Sequence, residues 1–249
     1  MKGYELYMEL KYQQADSAPA LTVTDSLLVL ALDQGKQNIL SALNLDIFTA
    51  ALTSVMAELD TAGIISFNGL RENPLEPTAE VSILGDLPAE YASCKAVYEA
   101  IVDSKHKTIE EILSPFIFSI NDKLAKQFVE ERITRLKTLE VIDETTSKNL
   151  LGIKSTKFSA KSDAVEQIVS ELRRELLGQE PVSDAVIVLT RLLDKTGLLK
   201  HYFSAHDQDK LKQRIDESIQ ELEGQAAGEI LKRIDDLQTF ILLLISAMV

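Results

Sequence analysis

Few side chains in this sequence have the type and spacing that catalysis or metal binding needs. The chain has three histidines, His106, His201 and His206, and one cysteine, Cys94. His201 and His206 are five residues apart, so they fall on different faces of a helix and lack metal-ligand spacing. No glycine-rich phosphate loop, G-x-S-x-G or H-E-x-x-H motif occurs. We predict a buried Cys94 and a protein that is not an enzyme and has no cofactor; the alternative is a small enzyme that uses His201 and His206.

Basic residues are concentrated in one segment of an otherwise acidic chain. The formal net charge of the whole chain is −13. Residues 121–161 contain nine Lys or Arg and six Asp or Glu, which gives this segment a net charge of +3. The segment is either a mixed, solvated helix face followed by a lysine-bearing loop, or a local anion-binding face.

Five side chains of this basic segment form a candidate site for a phosphate or lipid headgroup. Lys123 and Lys126 are three residues apart and share a helix face, so both can contact one phosphate. Arg132 follows on the same helix, and Lys154 or Lys157 of the next hairpin completes the set. Lys and Arg supply hydrogen-bond donors only, which suits an anion. We expect a shallow, unselective site whose affinity falls as the salt concentration rises.

The elements that position these residues are predicted to be mostly helices, because Gly and Pro are few and Leu, Ala, Glu and Lys are abundant. The segment "LTVTDSLLVLAL" (21–32) predicts a helix capped by Thr24 or Asp25 and packed on nearly all sides. A helix over about 46–60 ends at Gly63 and leads to a strand at 64–67. Further helices are expected near 88–103, 108–114, 119–140, 162–177, 182–195, 207–222 and 226–248.

The expected fold class is therefore mainly α: a single-domain multi-helix bundle with a small β-hairpin. The segment "RLKTLEVIDETTSKNLLGIKSTKF" (135–158) supplies the end of a helix and that hairpin. Residues 1–20 are expected to be an N-terminal extension with a short strand or helix, and residues 21–249 to be the helical domain.

The C-terminal segment "DDLQTFILLLISAMV" (235–249) is apolar enough to raise the question of a membrane anchor. The run from Phe240 to Val249 is too short, because a helix of that length reaches about 15 Å and the hydrocarbon core is about 30 Å thick. The apolar spacing from Ile230 to Met248 instead favours a buried core helix. We therefore expect truncation after Asp236 to make the protein insoluble.

The composition also limits the partners and the location of the protein. A strongly negative chain disfavours nucleic acid, whose binding depends on neutralising phosphates. A single cysteine and an N-terminus without an apolar run predict a cytoplasmic protein. A helix followed by a short strand or hairpin is predicted at 46–67 and again at 122–153, as in winged-helix domains. A DNA-binding regulator of that kind is the alternative function.

An ordered set of segments resembles the Golgi phosphoprotein 3 family. "LTVTDSLLVLAL" (21–32) resembles the opening helix of that family, and "ALTSVMAELDTAGIISF" (51–67) its next helix, small-residue stop and strand. "GDLPAEYASCKAVYEAI" (85–101) resembles a later helix, residues 135–158 its helix end and hairpin, and "LLDKTGLLKHYF" (192–203) a helix pair. The chain is identified by this resemblance as a divergent, prokaryotic member.

The resemblance implies a mostly helical, non-enzymatic, peripheral membrane adaptor. Eukaryotic members bind phosphatidylinositol 4-phosphate on Golgi membranes and hold glycosyltransferases there, and their hairpin contributes to membrane contact and self-association. The implied partners are thus an anionic lipid headgroup such as a phosphoinositide, protein partners and a second copy of the chain. A Golgi location applies only to a eukaryotic member.

The family's lipid pocket, made of a tryptophan and several basic residues, is poorly kept in this chain. The sequence has no Trp, and ungapped matching places Leu43 at the tryptophan position. Leu52 and Val129 stand where the family has arginines. Lys126, in "NDKLAKQFVEERI", keeps the positive charge, so the resemblance supports only this one residue of the candidate site.

Overall fold

The chain is mainly α-helical with small antiparallel hairpins, which confirms the predicted fold class. The computed structural model describes residues 9–10, 21–35, 45–68, 80–117, 123–148, 154–178 and 182–221, with single helical positions at 232, 235 and 239. The helices within these residues are α1 (Val23–Asp33), α2 (Leu45–Thr61), α3 (Lys95–Asp103), α4 (Ile109–Ile117), α5 (Lys123–Thr138), α6 (Ser162–Leu177), α7 (Asp184–Lys195), α8 (Leu199–Tyr202) and α9 (Ala205–Glu221).

Three pairs of antiparallel strands accompany the described helices. Each pair forms a separate two-stranded sheet, and Ala89–Cys94 forms a 3-10 helix before α3. The predicted hairpin after α5 is confirmed, with Ile142 opposite Ala160 and Lys148 opposite Lys154. The paired strands are β1 (Glu9–Leu10) with β2 (Leu21–Thr22), β3 (Ile65–Asn68) with β4 (Glu80–Ile83), and β5 (Ile142–Lys148) with β6 (Lys154–Ala160).

The chain divides into two compact units. The first contains residues 1–8, 49–134 and 222–249, and the second contains residues 9–48 and 135–221. Helix α5 thus contributes to the first unit up to Thr134 and to the second from Arg135. The extent of a single domain from 21 to 249 stays a prediction.

The first unit has an apolar core built on α2. This helix buries most of its length, because Leu52, Val55, Met56 and Leu59 recur at helical spacing. Gly63 ends it in the left-handed conformation, with φ of 68°, as predicted from the sequence. Strand β3 follows directly and pairs with β4, so the expected strand at 64–67 is also confirmed.

A charged side chain closes the turn that connects α3 to α4. Glu111 accepts hydrogen bonds from the Ser104 hydroxyl at 2.8 Å and from the backbone N–H groups of Lys105 at 3.1 Å and His106 at 2.7 Å. These donors favour the ionised carboxyl and lower the pKa of Glu111 below its ordinary value of 4.5, the bond from His106 most of all.

The second unit has α1 at its centre. Every residue from Val23 to Leu32 is buried, and α1 packs against α6, α7 and β6. This agrees with the predicted helix that packs on nearly all sides. The predicted cap was wrong by two or three residues, because Thr22, and not Thr24 or Asp25, precedes the first helical turn. The Thr22 hydroxyl accepts from Asp25 N at 3.2 Å, and Asp25 in turn accepts from Thr22 N at 3.0 Å.

Asp25 is fully buried, and it also forms an ion pair with Arg135. Arg135 Nε lies 2.8 and 3.0 Å from the two carboxylate oxygens. A buried carboxylate is costly unless it is paired and hydrogen-bonded, and Asp25 satisfies both conditions. The pair joins the start of α1 to the end of α5 within the second unit.

The predicted C-terminal core helix falls almost wholly outside the described residues. Lys232, Asp235 and Thr239 are helical, and the Thr239 hydroxyl donates to the Asp235 carbonyl at 2.8 Å. Among the residues that the structure describes, no helix has the length and apolarity to cross a membrane.

The Asp25–Arg135 pair should be a major contributor to stability. Asp25→Ala removes the carboxylate that accepts from Thr22 N in the capping box and leaves Arg135 without its partner, so we expect a loss of about 3 kcal/mol in the free energy of unfolding, measured with urea. Asp25→Asn keeps a capping acceptor and should lose less. Asp143→Ala, at an exposed position of β5, is the control and should change it by less than about 0.5 kcal/mol. Equal effects of Asp25→Ala and Asp143→Ala would contradict this assignment.

The Glu111 turn should make stability depend on pH. Because the folded pKa lies below the ordinary value of 4.5, the stabilisation is fully present above that value and is lost as the pH falls through the folded pKa. The wild type should therefore exceed Glu111→Gln in stability at neutral pH, and the difference should shrink below pH 4.5. Urea denaturation over this range measures it. A difference that stays constant with pH would refute the role of the Glu111 charge.

Candidate functional site

The first turns of α5 present two lysines to solvent. Lys123 and Lys126 are both exposed, while Ala125 and Phe128 face the core. The Phe128 ring packs edge-on against Phe116 with centroids 6.2 Å apart, which fixes the buried side of the helix. Neither lysine has an ion pair within the described part of the chain. Their charges are therefore available to a ligand.

A carboxylate reduces the positive charge of this lysine face. Glu130 is exposed and lies four residues after Lys126, one helical turn away on the same side of α5. The exposed charges of this face are thus two positive and one negative. Such a face attracts anions weakly.

Arg132 lies inside the first unit and not beside the two lysines. Its side chain is only 2% exposed, and its Nη1 is 3.6 Å from Glu58 Oε2. Arg132 Nη2 donates to Cys94 Sγ at 2.9 Å, and the guanidinium lies 6.0 Å from the centroid of the Phe128 ring. Arg132 is therefore removed from the predicted site. Its charge stabilises the buried Glu58 carboxylate inside the first unit and does not reach the surface.

Cys94 is buried, as predicted. Burial raises the pKa of its thiol, although the nearby Arg132 guanidinium acts in the opposite direction. A thiol that stays protonated and is removed from solvent is a poor nucleophile. Cys94 therefore acts as a hydrogen-bond acceptor for Arg132.

A polar layer joins α5 to the start of α3. Glu131 Oε2 accepts from Ala96 N at 2.8 Å, which satisfies one of the free N–H groups at the start of that helix. Gln127 donates to Glu131 at 2.9 Å and to Glu99 at 3.0 Å, and Glu99 pairs with Lys95 at 3.5 Å. Partial burial raises the pKa of Glu131. This side of α5 is therefore occupied by structural contacts.

The hairpin of the second unit carries the other predicted lysines. Lys157 is exposed on β6 opposite Thr145, and it has no ion pair among the described residues. Lys154 is the first residue of β6, and its side chain lies outside the described part. Each pair of predicted lysines belongs to a different unit, Lys123 and Lys126 to the first, and Lys154 and Lys157 to the second.

Acidic residues occupy the neighbouring strand β5. Asp143 and Glu144 are both exposed, and Glu144 forms an ion pair with Lys137 at the end of α5. Lys137 is therefore committed to a partner within the protein. Lys157 is the described lysine of the hairpin that remains available.

The described histidines form no metal site. His201 and His206 are exposed, in α8 and α9 respectively. No group of three or more His, Cys, Asp or Glu side chains suited to a metal ion occurs in the described residues.

Sequence reasoning missed two arrangements. The first is the buried Glu58–Arg132–Cys94 cluster, although a glutamate within the apolar run of α2 was a signal that a positive partner was needed. The second is a cleft of about 410 Å³ beside α6, where the end of α1 meets Tyr202. Six of its eight lining residues lie on α6, but Asp33 and Tyr202 come from distant parts of the sequence, so no local pattern indicated the cleft.

Sequence comparison supports the resemblance drawn from the ordered segments. The model of one protein family, described as Golgi phosphoprotein 3 (GPP34), matches residues 23–236. The match begins at the first residue of α1 and covers all the described helices through α9. No curated protein matches the chain significantly.

The buried Arg132–Glu58 pair gives a stability prediction. Arg132→Met leaves Glu58 buried without its cation and should lower the free energy of unfolding by about 3–5 kcal/mol. The double variant Arg132→Met with Glu58→Met should recover most of the loss, because both buried charges are then removed. Lys126→Met, on the exposed side of the same helix, is the control and should be nearly neutral. Urea denaturation measures all three, and a double variant that loses as much as the single one would contradict the pairing.

Proposed function

Because the chain belongs to the Golgi phosphoprotein 3 family, we propose that it is a non-enzymatic adaptor that associates peripherally with membranes. In the first unit Lys123 and Lys126 of α5 contact anionic headgroups, and in the second unit Lys154 and Lys157 of the hairpin make a separate contact of the same kind. Arg132 is left out of this set, since its charge is used inside the first unit.

One contrast within the basic segment carries the proposal. The three basic residues near the end of α5 each have a carboxylate partner: Arg132 pairs with Glu58, Arg135 with Asp25 and Lys137 with Glu144. The two lysines at its start have none within the described residues and are exposed. An unpaired, exposed lysine near an anionic bilayer contributes about 1 kcal/mol.

This contribution is small, so the lysines alone give weak binding. The net charge of −13 also opposes approach to an anionic surface, although this repulsion is screened beyond a Debye length of about 8 Å. Stable attachment then needs a second contact. A membrane-bound protein partner supplies it in an adaptor, which is the role that the family suggests.

The winged-helix regulator is the less favoured function. In a winged-helix regulator the hairpin would be the wing and would lie close to DNA phosphates. Its strand β5 exposes Asp143 and Glu144. Like charge opposes binding to a polyanion. A sequence-preferring complex with genomic fragments in a gel shift would reverse this ordering.

Liposome partitioning tests the proposed surface. With phosphatidylcholine–phosphatidylserine vesicles at low salt, Lys123→Gln with Lys126→Gln should lower the partition coefficient about tenfold or more, since two contributions of about 1 kcal/mol are lost. Glu130→Gln should raise it, because it removes the negative charge of the same face. Lys157→Gln should lower it by less than the double variant.

A charge-matched control separates the site from net charge. Lys200→Gln with Lys210→Gln removes two exposed lysines elsewhere and should leave partitioning nearly unchanged. Equal losses of partitioning in both double variants, or absence of binding at low salt, would refute headgroup contact by Lys123 and Lys126. A selective, salt-resistant response to vesicles with phosphatidylinositol 4-phosphate would instead indicate a true headgroup pocket.

A further inference from the structure

We draw no further inference here: the strongest candidate, the cleft beside α6 in the second unit, is lined by the carboxylates of Asp33 and Glu166 and by the guanidinium of Arg173, so its charges select neither a cation nor an anion, and nothing in the structure shows what occupies it.

Discussion

Buried carboxylates paired with arginines of α5 are the constraint on which both units of this protein depend. Asp25 and Glu58 are removed from solvent, and an uncompensated charge there costs several kcal/mol. Arg135 neutralises Asp25 in the second unit, and Arg132 neutralises Glu58 in the first. The two arginines are three residues apart, so one helix supplies the counter-charge for both cores. The sequence of α5 is therefore constrained at these positions by stability.

This constraint changes how the positive charge of residues 121–161 is interpreted. The sequence of this segment has a net positive charge and suggests a broad anion-binding face. In the structure, three of these cations are used inside the protein or by a neighbouring strand, as the partners of Arg132, Arg135 and Lys137 show. The cations left for a ligand are isolated lysines. A basic segment thus overstates binding capacity whenever the same residues neutralise buried acids.

Local sequence patterns predicted the helices and strands well, but they did not predict the partners of the charged side chains. Helix α6 at Ser162–Leu177 matches its expected range, and Gly63 ends α2 because only a residue free of a Cβ adopts that backbone conformation without cost. These features depend on neighbouring residues. The place of Arg132 depends on Glu58 in another helix, and helical spacing alone cannot distinguish an arginine that reaches inward from one that reaches solvent. The start of α1 was misplaced for a related reason, because Thr22, Thr24 and Asp25 are all good capping residues and the reciprocal Thr22–Asp25 bonds decide between them.

The acidic surface follows from the composition and is not changed by the buried pairs. Arg132 and Arg135 are each matched by one carboxylate, so the rest of the chain keeps the full net charge of −13. Such a surface can approach an anionic bilayer only in orientations that place its few unpaired lysines first, since repulsion elsewhere is weakened but not removed by salt. Because the arginines of α5 are paired inside the two units, any contact with an anionic surface depends on the exposed lysines.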